Sequence, residues 1–406
     1  MCIRDRNIPK ITFPNEDKDF IKNPYPYLKE LRNSSPIHYD KLSGLNLITH
    51  FEDVKDIQKS KNFSSSEPED YVKDSDEKLI NPKDYDYFWK TEEFNLLNLE
   101  GNIHDELRGL VAKAFLNRQV QELRPFMETK SNELFNKINH EKFDLLADYA
   151  QPYSIAVIGE LLGVPEEDYE KFLYWSHAIV KMYDLKVSNE NANEAEAAAK
   201  DFYIYMSDLI DEKNVNPQND MISRLSQVSE NNQQLTKDQI ICTVILLLNA
   251  GHEATVNTIG NSIVALLLNN ISTKNLDKKY DIKNIIEELI RWDSPLQFFQ
   301  RWVLEETVVS GINLSKNSKI AILLGSANRD ETAFKNPEQI DFERSNLSHT
   351  SFGGGVHFCL GAHLARLELE VSFQNLFKHE VTLVDEPERT GAFGIRGFKE
   401  INVSFS

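Results

Sequence analysis

Phe352-Gly353-Gly354-Gly355-Val356-His357-Phe358-Cys359-Leu360-Gly361 sets one cysteine at the end of a glycine-rich run. An amphipathic stretch follows, with Leu360, Leu364, Leu367 and Val371 along one helical face. A helix start offers unpaired N–H groups and the positive end of the backbone dipole, and both favour a thiolate. Gly355 and Gly361 let the backbone approach a flat ligand, and Phe352 can screen the sulfur from water. A buried, inert cysteine is the usual fate of this residue type and is the reading for Cys242. For Cys359 the pattern Phe-x-x-Gly-x-x-x-Cys-x-Gly argues otherwise. With 23 Phe, 16 Gly and 3 Cys in 406 residues, chance supplies on the order of 0.0003 such matches per chain.

Working outward, the chain has no 20–50-residue repeat and no Gly/Ser- or Pro-rich linker. Extended patterns cluster at 37–51, 302–322 and 381–406, while 104–290 carries helical periodicity, as in Leu107, Leu110, Val111, Ala114 and Phe115. The expectation is a mainly α protein with a small β region drawn from both ends, hence one domain over 1–406. Residues 1–10 read as an irregular lead-in. Residues 67–93 hold ten acidic residues and four lysines, but Tyr71, Tyr85, Tyr87, Phe88 and Trp89 make them too aromatic for plain solvation. They read as a lid.

With 45 Lys and Arg against 64 Asp and Glu, the net charge is −19. That argues against nucleic acid as a partner and against electrostatic attachment to an anionic membrane. Three scattered cysteines make neither a disulfide framework nor a four-thiolate zinc site, which fits a reducing cytoplasm. No signal peptide or membrane anchor is expected, since the apolar run 240–248 is half a membrane span.

A single helical pattern runs over 236–269, about 50 Å long. Its centre is Ala250-Gly251-His252-Glu253-Ala254-Thr255. A mid-helix glycine and an acid among apolar residues both break local rules, which points to function. Val256 rules out the second histidine of an HExxH zinc protease. Glu253, Asn257 and Asn261, spaced i, i+4, could instead be a structural polar stripe.

The cysteine segment resembles the haem-thiolate loop of the cytochrome P450 monooxygenases, with Cys359 as the axial iron ligand. The resemblance covers roughly residue 23 to the C-terminus. It implies the P450 fold, a triangular helical domain whose long central helix crosses the haem. Glu288 and Arg291 in Glu288-Leu289-Ile290-Arg291 then match a buried structural pair, joined by Arg344. His104 and Arg108, one turn apart, match propionate donors together with Arg301 and His357. The family's usual Asp-x-Pro before that histidine is replaced by Glu100-Gly101-Asn102-Ile103. Asn328-Arg329-Asp330 and His363-Leu364-Ala365-Arg366 also match the family's text.

On the long helix, the resemblance assigns Ala250 and Gly251 to the space beside the haem and Glu253 to proton delivery. The family commonly follows that acid directly with an alcohol. Here Ala254 follows, and Thr255 sits one position later, about 100° around the helix. A water, a substrate hydroxyl or Thr255 through a water would have to complete the relay.

The function so implied is a haem b monooxygenase that inserts one oxygen atom from O2 into an apolar organic substrate. Electrons would come from NAD(P)H through a separate ferredoxin or flavodoxin, with Lys113, Arg118 and Arg366 as docking contacts. The expected protein is a cytoplasmic monomer. Pocket walls are expected near 85–89, 175–183, Leu247, Asn249 and Ala250, 296–299 and 392–395. The alternatives are peroxide-driven or non-oxygenating haem-thiolate chemistry, or a haem-binding sensor or carrier.

Overall fold

The computed structural model describes residues 8–68, 85–115, 117–183, 187–230 and 233–406. Most of the expected lid, 69–84, and the first seven residues of the lead-in lie outside them. The chain divides into two compact units, each assembled from separated stretches. One comprises 1–69, 131–151 and 254–406, the other 70–130 and 152–253.

The first unit carries the sheets. Six strands lie in the order Lys10–Ile11, Ile37–Asp40, Asn46–Ile48, Lys319–Leu323, Phe298–Val303 and Phe63–Ser64. Lys319–Leu323 pairs parallel to Asn46–Ile48 and antiparallel to Phe298–Val303. Successive strand residues face opposite sides of a sheet. Ile320 and Ile322 therefore enter one core with Ile37, Ile48, Val54 and Phe334. Ala321 and Leu323 enter a second with Phe13, Phe20, Leu28 and Phe393. A strand buried on both faces must be apolar at consecutive positions, which explains its unalternated sequence.

The expectation of one sheet from both ends is met in part. Residues 10–64 pair with 298–323, but Val381–Leu383 and Asn402–Phe405 form a separate sheet with Phe143–Asp144. Phe51, expected to be extended, instead opens the helix Phe51–Ile57.

The second unit is almost entirely helical. Asn189–Val215 buries Ala192, Ala195, Ala198 and Ala199, small side chains that let neighbouring helices approach. Phe172 and Trp175 of Tyr169–Val180 pack against Phe202 and Tyr205 of that helix. Asp86–Glu92 is held at its start by Glu196, whose carboxylate accepts from the backbone N–H groups of Tyr87 and Phe88.

The long helix is Lys237–Leu268, and its ends are written locally. Thr236 and Gln239 cap each other: the Thr236 N–H donates to Gln239 Oε1 and the Gln239 N–H to Thr236 Oγ1. At the far end Asn270 takes a left-handed φ of 55°, and the Ile271 N–H reaches back to the Leu266 carbonyl. By length and composition this helix could cross a bilayer, but 61% of its apolar window is buried in the protein, as in a core helix. The division between units falls inside it, between Glu253 and Ala254.

Candidate functional site

The glycines of the cysteine loop have two tasks. Gly353 and Gly355 take φ of +71° and +63°, and a Cβ on Gly355 would strike the Gln58 carbonyl. The loop closes where the Cys359 N–H donates to the Phe352 carbonyl at 2.8 Å. Gly361 differs, since none of the described residues lies within 4 Å of where its Cβ would be, so a flat group can reach the backbone there. The helix Ala362–Leu376 begins directly afterwards.

Under this loop lies a cluster that sequence reading missed. Arg366, expected as a docking cation, makes a two-pronged contact with Glu287 (2.6 and 2.8 Å) and lies 4.4 Å over the Phe352 ring. His349 Nε2 stands 3.2 Å from the same carboxylate. Burial would raise the Glu287 pKa, but the hydrogen bonds from Arg366 and the nearby His349 ring outweigh it and hold the group at about 2. Nothing in local spacing marks Glu287, because its partners are some sixty to eighty residues away, at 349 and 366. Of the other expected docking contacts, Arg118 pairs with Glu122 one turn on, and Lys113 is exposed.

In the same unit, His357 Nε2 lies 3.2 Å from Ser65 Oγ. Arg301, on Phe298–Val303, is half-buried beside the Phe299 ring. Glu288 accepts from Arg291 at 2.7 and 2.7 Å and from Arg344 at 3.0 and 3.2 Å, so all three structural residues meet. Arg291 also donates to the carbonyls of Asn328 and Pro337, tying the helix Ile282–Trp292 to the segment before the cysteine.

In the second unit, His104 and Arg108 share one face of Gly101–Ala114. His104 is fully buried, with Nδ1 3.1 Å from Asp105, and Arg108 is half-buried. Gly101 has φ of +64°, a backbone state that explains a glycine where the family's text would differ. Cys242 is buried as expected, and burial pushes its thiol up to about 12.

On the long helix, Ala250 is exposed although Leu248 and Asn249 before it are buried, so open space faces it. Gly251 has a packing reason as well: a Cβ there would come within 3.1 Å of Ile158. Glu253 is half-buried, with Oε2 3.5 Å from His177 Nε2 and 3.8 Å from His252 Nε2. Burial lowers the His252 pKa to about 4.

Thr255 belongs to the first unit. Its side chain lies beside Glu368, on the helix that follows the cysteine. Burial raises the Glu368 pKa to about 8, against the opposing influence of the Thr255 side chain. An acid beside Leu364, Leu367 and Val371 was the available sequence signal for Glu368. Asn261 of the supposed stripe is structural: its amide donates to the Arg396 carbonyl at 2.9 Å.

The Glu368 shift has a stability consequence. The folded chain keeps this proton up to about pH 8, whereas the unfolded chain releases it near 4.5. Stability is therefore lost as pH rises from 4.5 to 8. Glu368→Gln should flatten the pH dependence of the urea midpoint across that interval; an unchanged slope would mean Glu368 titrates ordinarily.

One residue in each of two expected pocket segments packs against aromatic neighbours. Trp175 is 8% exposed among helix aromatics, and Phe393 stacks on Phe298 while contacting Phe13 and Phe20.

The donor set fits haem. Among the described residues, the group of three side chains close enough to hold a metal ion is His177, His252 and Glu253; Cys359 is not part of it. A single cysteine ligand suits a metal that brings its other ligands in a macrocycle, and the flank of Gly361 leaves room for a flat one.

Comparison with known proteins converges. The cytochrome P450 family model matches residues 69–390. The polyketide biosynthesis cytochrome P450 PksS of Bacillus subtilis (strain 168) is 32% identical over 98% of this chain and 99% of its own. The steroid C26-monooxygenase of Rhodococcus jostii (strain RHA1) is 30% identical over 100% of this chain and 87% of its own. A solved structure of P450BioI with acyl carrier protein bearing hexadec-9Z-enoic acid superposes with a TM-score of 0.86. It is 31% identical, covering 96% of this chain and 99% of that one.

Proposed function

Because this chain belongs to the cytochrome P450 family, we propose that it inserts one oxygen atom from O2 into an apolar organic substrate. Electrons arrive from NAD(P)H through a separate ferredoxin or flavodoxin. The observation that carries the reading is the Cys359 loop, closed on Phe352 and followed by an unobstructed Gly361. Cys359 holds haem b, with Phe352 screening the sulfur and His104, Arg108, Arg301 and His357 as propionate donors. A cysteinate-bound haem supplies an electron-rich iron that favours O–O cleavage. The reading takes 1–406 as one cytoplasmic, monomeric domain; the interleaved stretches of its two units support the single domain, since no single cut separates them.

The chain's own residues handle protons and space. Ala250 and Gly251 leave room along the helix. Glu253 carries a proton at its carboxylate. Ala254 has no hydroxyl to pass it on, and Thr255, one position later, sits beside Glu368. A water or a substrate hydroxyl completes the path. Glu253→Gln should lower the oxidation rate by about a hundredfold while leaving the substrate-induced spectral shift in place. Equal loss of rate and binding would make Glu253 structural.

The similar proteins are named for a polyketide pathway and a steroid, and one is seen with a hexadecenoyl carrier protein. An organic substrate with a large carbon skeleton is the class carried over here from those names. The test is product formation with O2 and a reductase system after a spectral-shift screen of such compounds. Ala254 also favours a second reading, peroxide-driven oxidation; turnover with peroxide and none with O2 and reductase would select it. A haem carrier would show the spectrum with no turnover by either route.

A further inference from the structure

His252 is out of place by ordinary rules. It is fully buried, and neither ring nitrogen makes a hydrogen bond among the described residues. A polar ring withdrawn from water without partners is unfavourable unless something else engages it. Its Nε2 points toward Glu253, 3.8 Å from Oε2, and that oxygen lies 3.5 Å from Nε2 of His177 on the helix Tyr169–Val180. The two imidazole rings are 5.5 Å apart. One ligand atom from each of the three residues falls within 4.8 Å of the others.

We propose that His177, His252 and Glu253 form a binding site for a zinc-type divalent cation. Two imidazole nitrogens and one carboxylate oxygen are a donor set suited to zinc, and three protein ligands leave a fourth position for water. Tetrahedral zinc with bonds of about 2.0–2.1 Å places its ligand atoms about 3.4 Å apart. The Glu253–His177 separation of 3.5 Å is already there, and the other pairs close by small rotations. His177 and Glu253 supply those rotations, since their side chains are 46% and 30% exposed, while His252 is held in place by burial. Magnesium and calcium, which prefer an all-oxygen shell, find only one oxygen ligand here.

Occupancy has a consequence that rests on the oxygenase reading. A carboxylate bound to zinc cannot shuttle a proton, so the cation would act as a reversible inhibitor through Glu253.

The test titrates zinc into the haem-loaded protein against a chromophoric chelator. One zinc per chain is expected, with magnesium giving no competition. His177→Gln and His252→Ala should each weaken zinc at least tenfold. Zinc affinity unchanged in His177→Gln, whose side chain is half-exposed and whose loss leaves the fold intact, overturns the site. Absence of stoichiometric zinc binding to the wild type also overturns it. In a second arm, zinc should slow substrate oxidation by the wild type but not by His177→Gln, each rate compared with the same protein without zinc. Stoichiometric binding with an unchanged wild-type rate leaves the site standing and removes Glu253 from the proton path.

Discussion

Cys359→Ser abolishes the red-shifted Soret band of the reduced, CO-bound protein and cuts substrate oxidation at least about a thousandfold, roughly 4 kcal/mol of barrier. The two side chains are nearly the same size, so packing changes little. The chemistry changes completely. A serine hydroxyl stays protonated at neutral pH, whereas the thiol is readily ionised beside a helix start and a metal. The electron donation that distinguishes cysteinate from other axial ligands disappears with the sulfur. Cys242→Ser is the matched control. That thiol is buried with its pKa pushed up to about 12, and its replacement should leave the band in place. A Cys359→Ser protein that kept the thiolate band would remove the central assignment.

The second large effect concerns folding. Glu288→Gln should destabilise the protein by about 3–5 kcal/mol, a large share of the roughly 5–15 kcal/mol that holds a typical domain. Glu288 and Arg291 are fully buried, and Arg344 is 8% exposed. One carboxylate serves both guanidinium groups and also accepts the Asp341 N–H at 2.9 Å. A neutral amide leaves two buried cations facing one another with no counter-charge. The segment around Asp341 and Arg344, which leads toward the cysteine loop, should loosen with them. The urea midpoint and the haem-to-protein absorbance ratio should therefore fall together. A normal midpoint would mean that the arginines' backbone carbonyl partners suffice alone. The exposed pair Lys22–Glu386, at 69% and 74% side-chain exposure, is the contrast: Lys22→Ala should leave the midpoint where it was.

Contiguous features were legible. The expected span 236–269 lies within one residue of the observed Lys237–Leu268 at each end. Caps and hydrophobic periodicity act over a few residues, and both are written in the chain. Glu288 and Arg291 were readable for the same reason, being one turn apart on one helix. The sheet pairing was legible only in outline. The late strands at 381–405 are as extended as expected, but their neighbour is Phe143–Asp144, inside the stretch read as helical.

The thiolate loop, the helix that follows it and the acid-bearing long helix were thus determined by sequence alone. Their chemistry depends on residue types at fixed short separations, which the backbone converts directly into geometry. Packing decided who meets whom. It turned Arg366 from solvent to Glu287, set Thr255 beside Glu368, and placed His177 beside Glu253. These pairs are tens to more than a hundred positions apart. No local propensity encodes them, because each is the result of side chains competing for partners once helices and sheets have excluded water from the space between them.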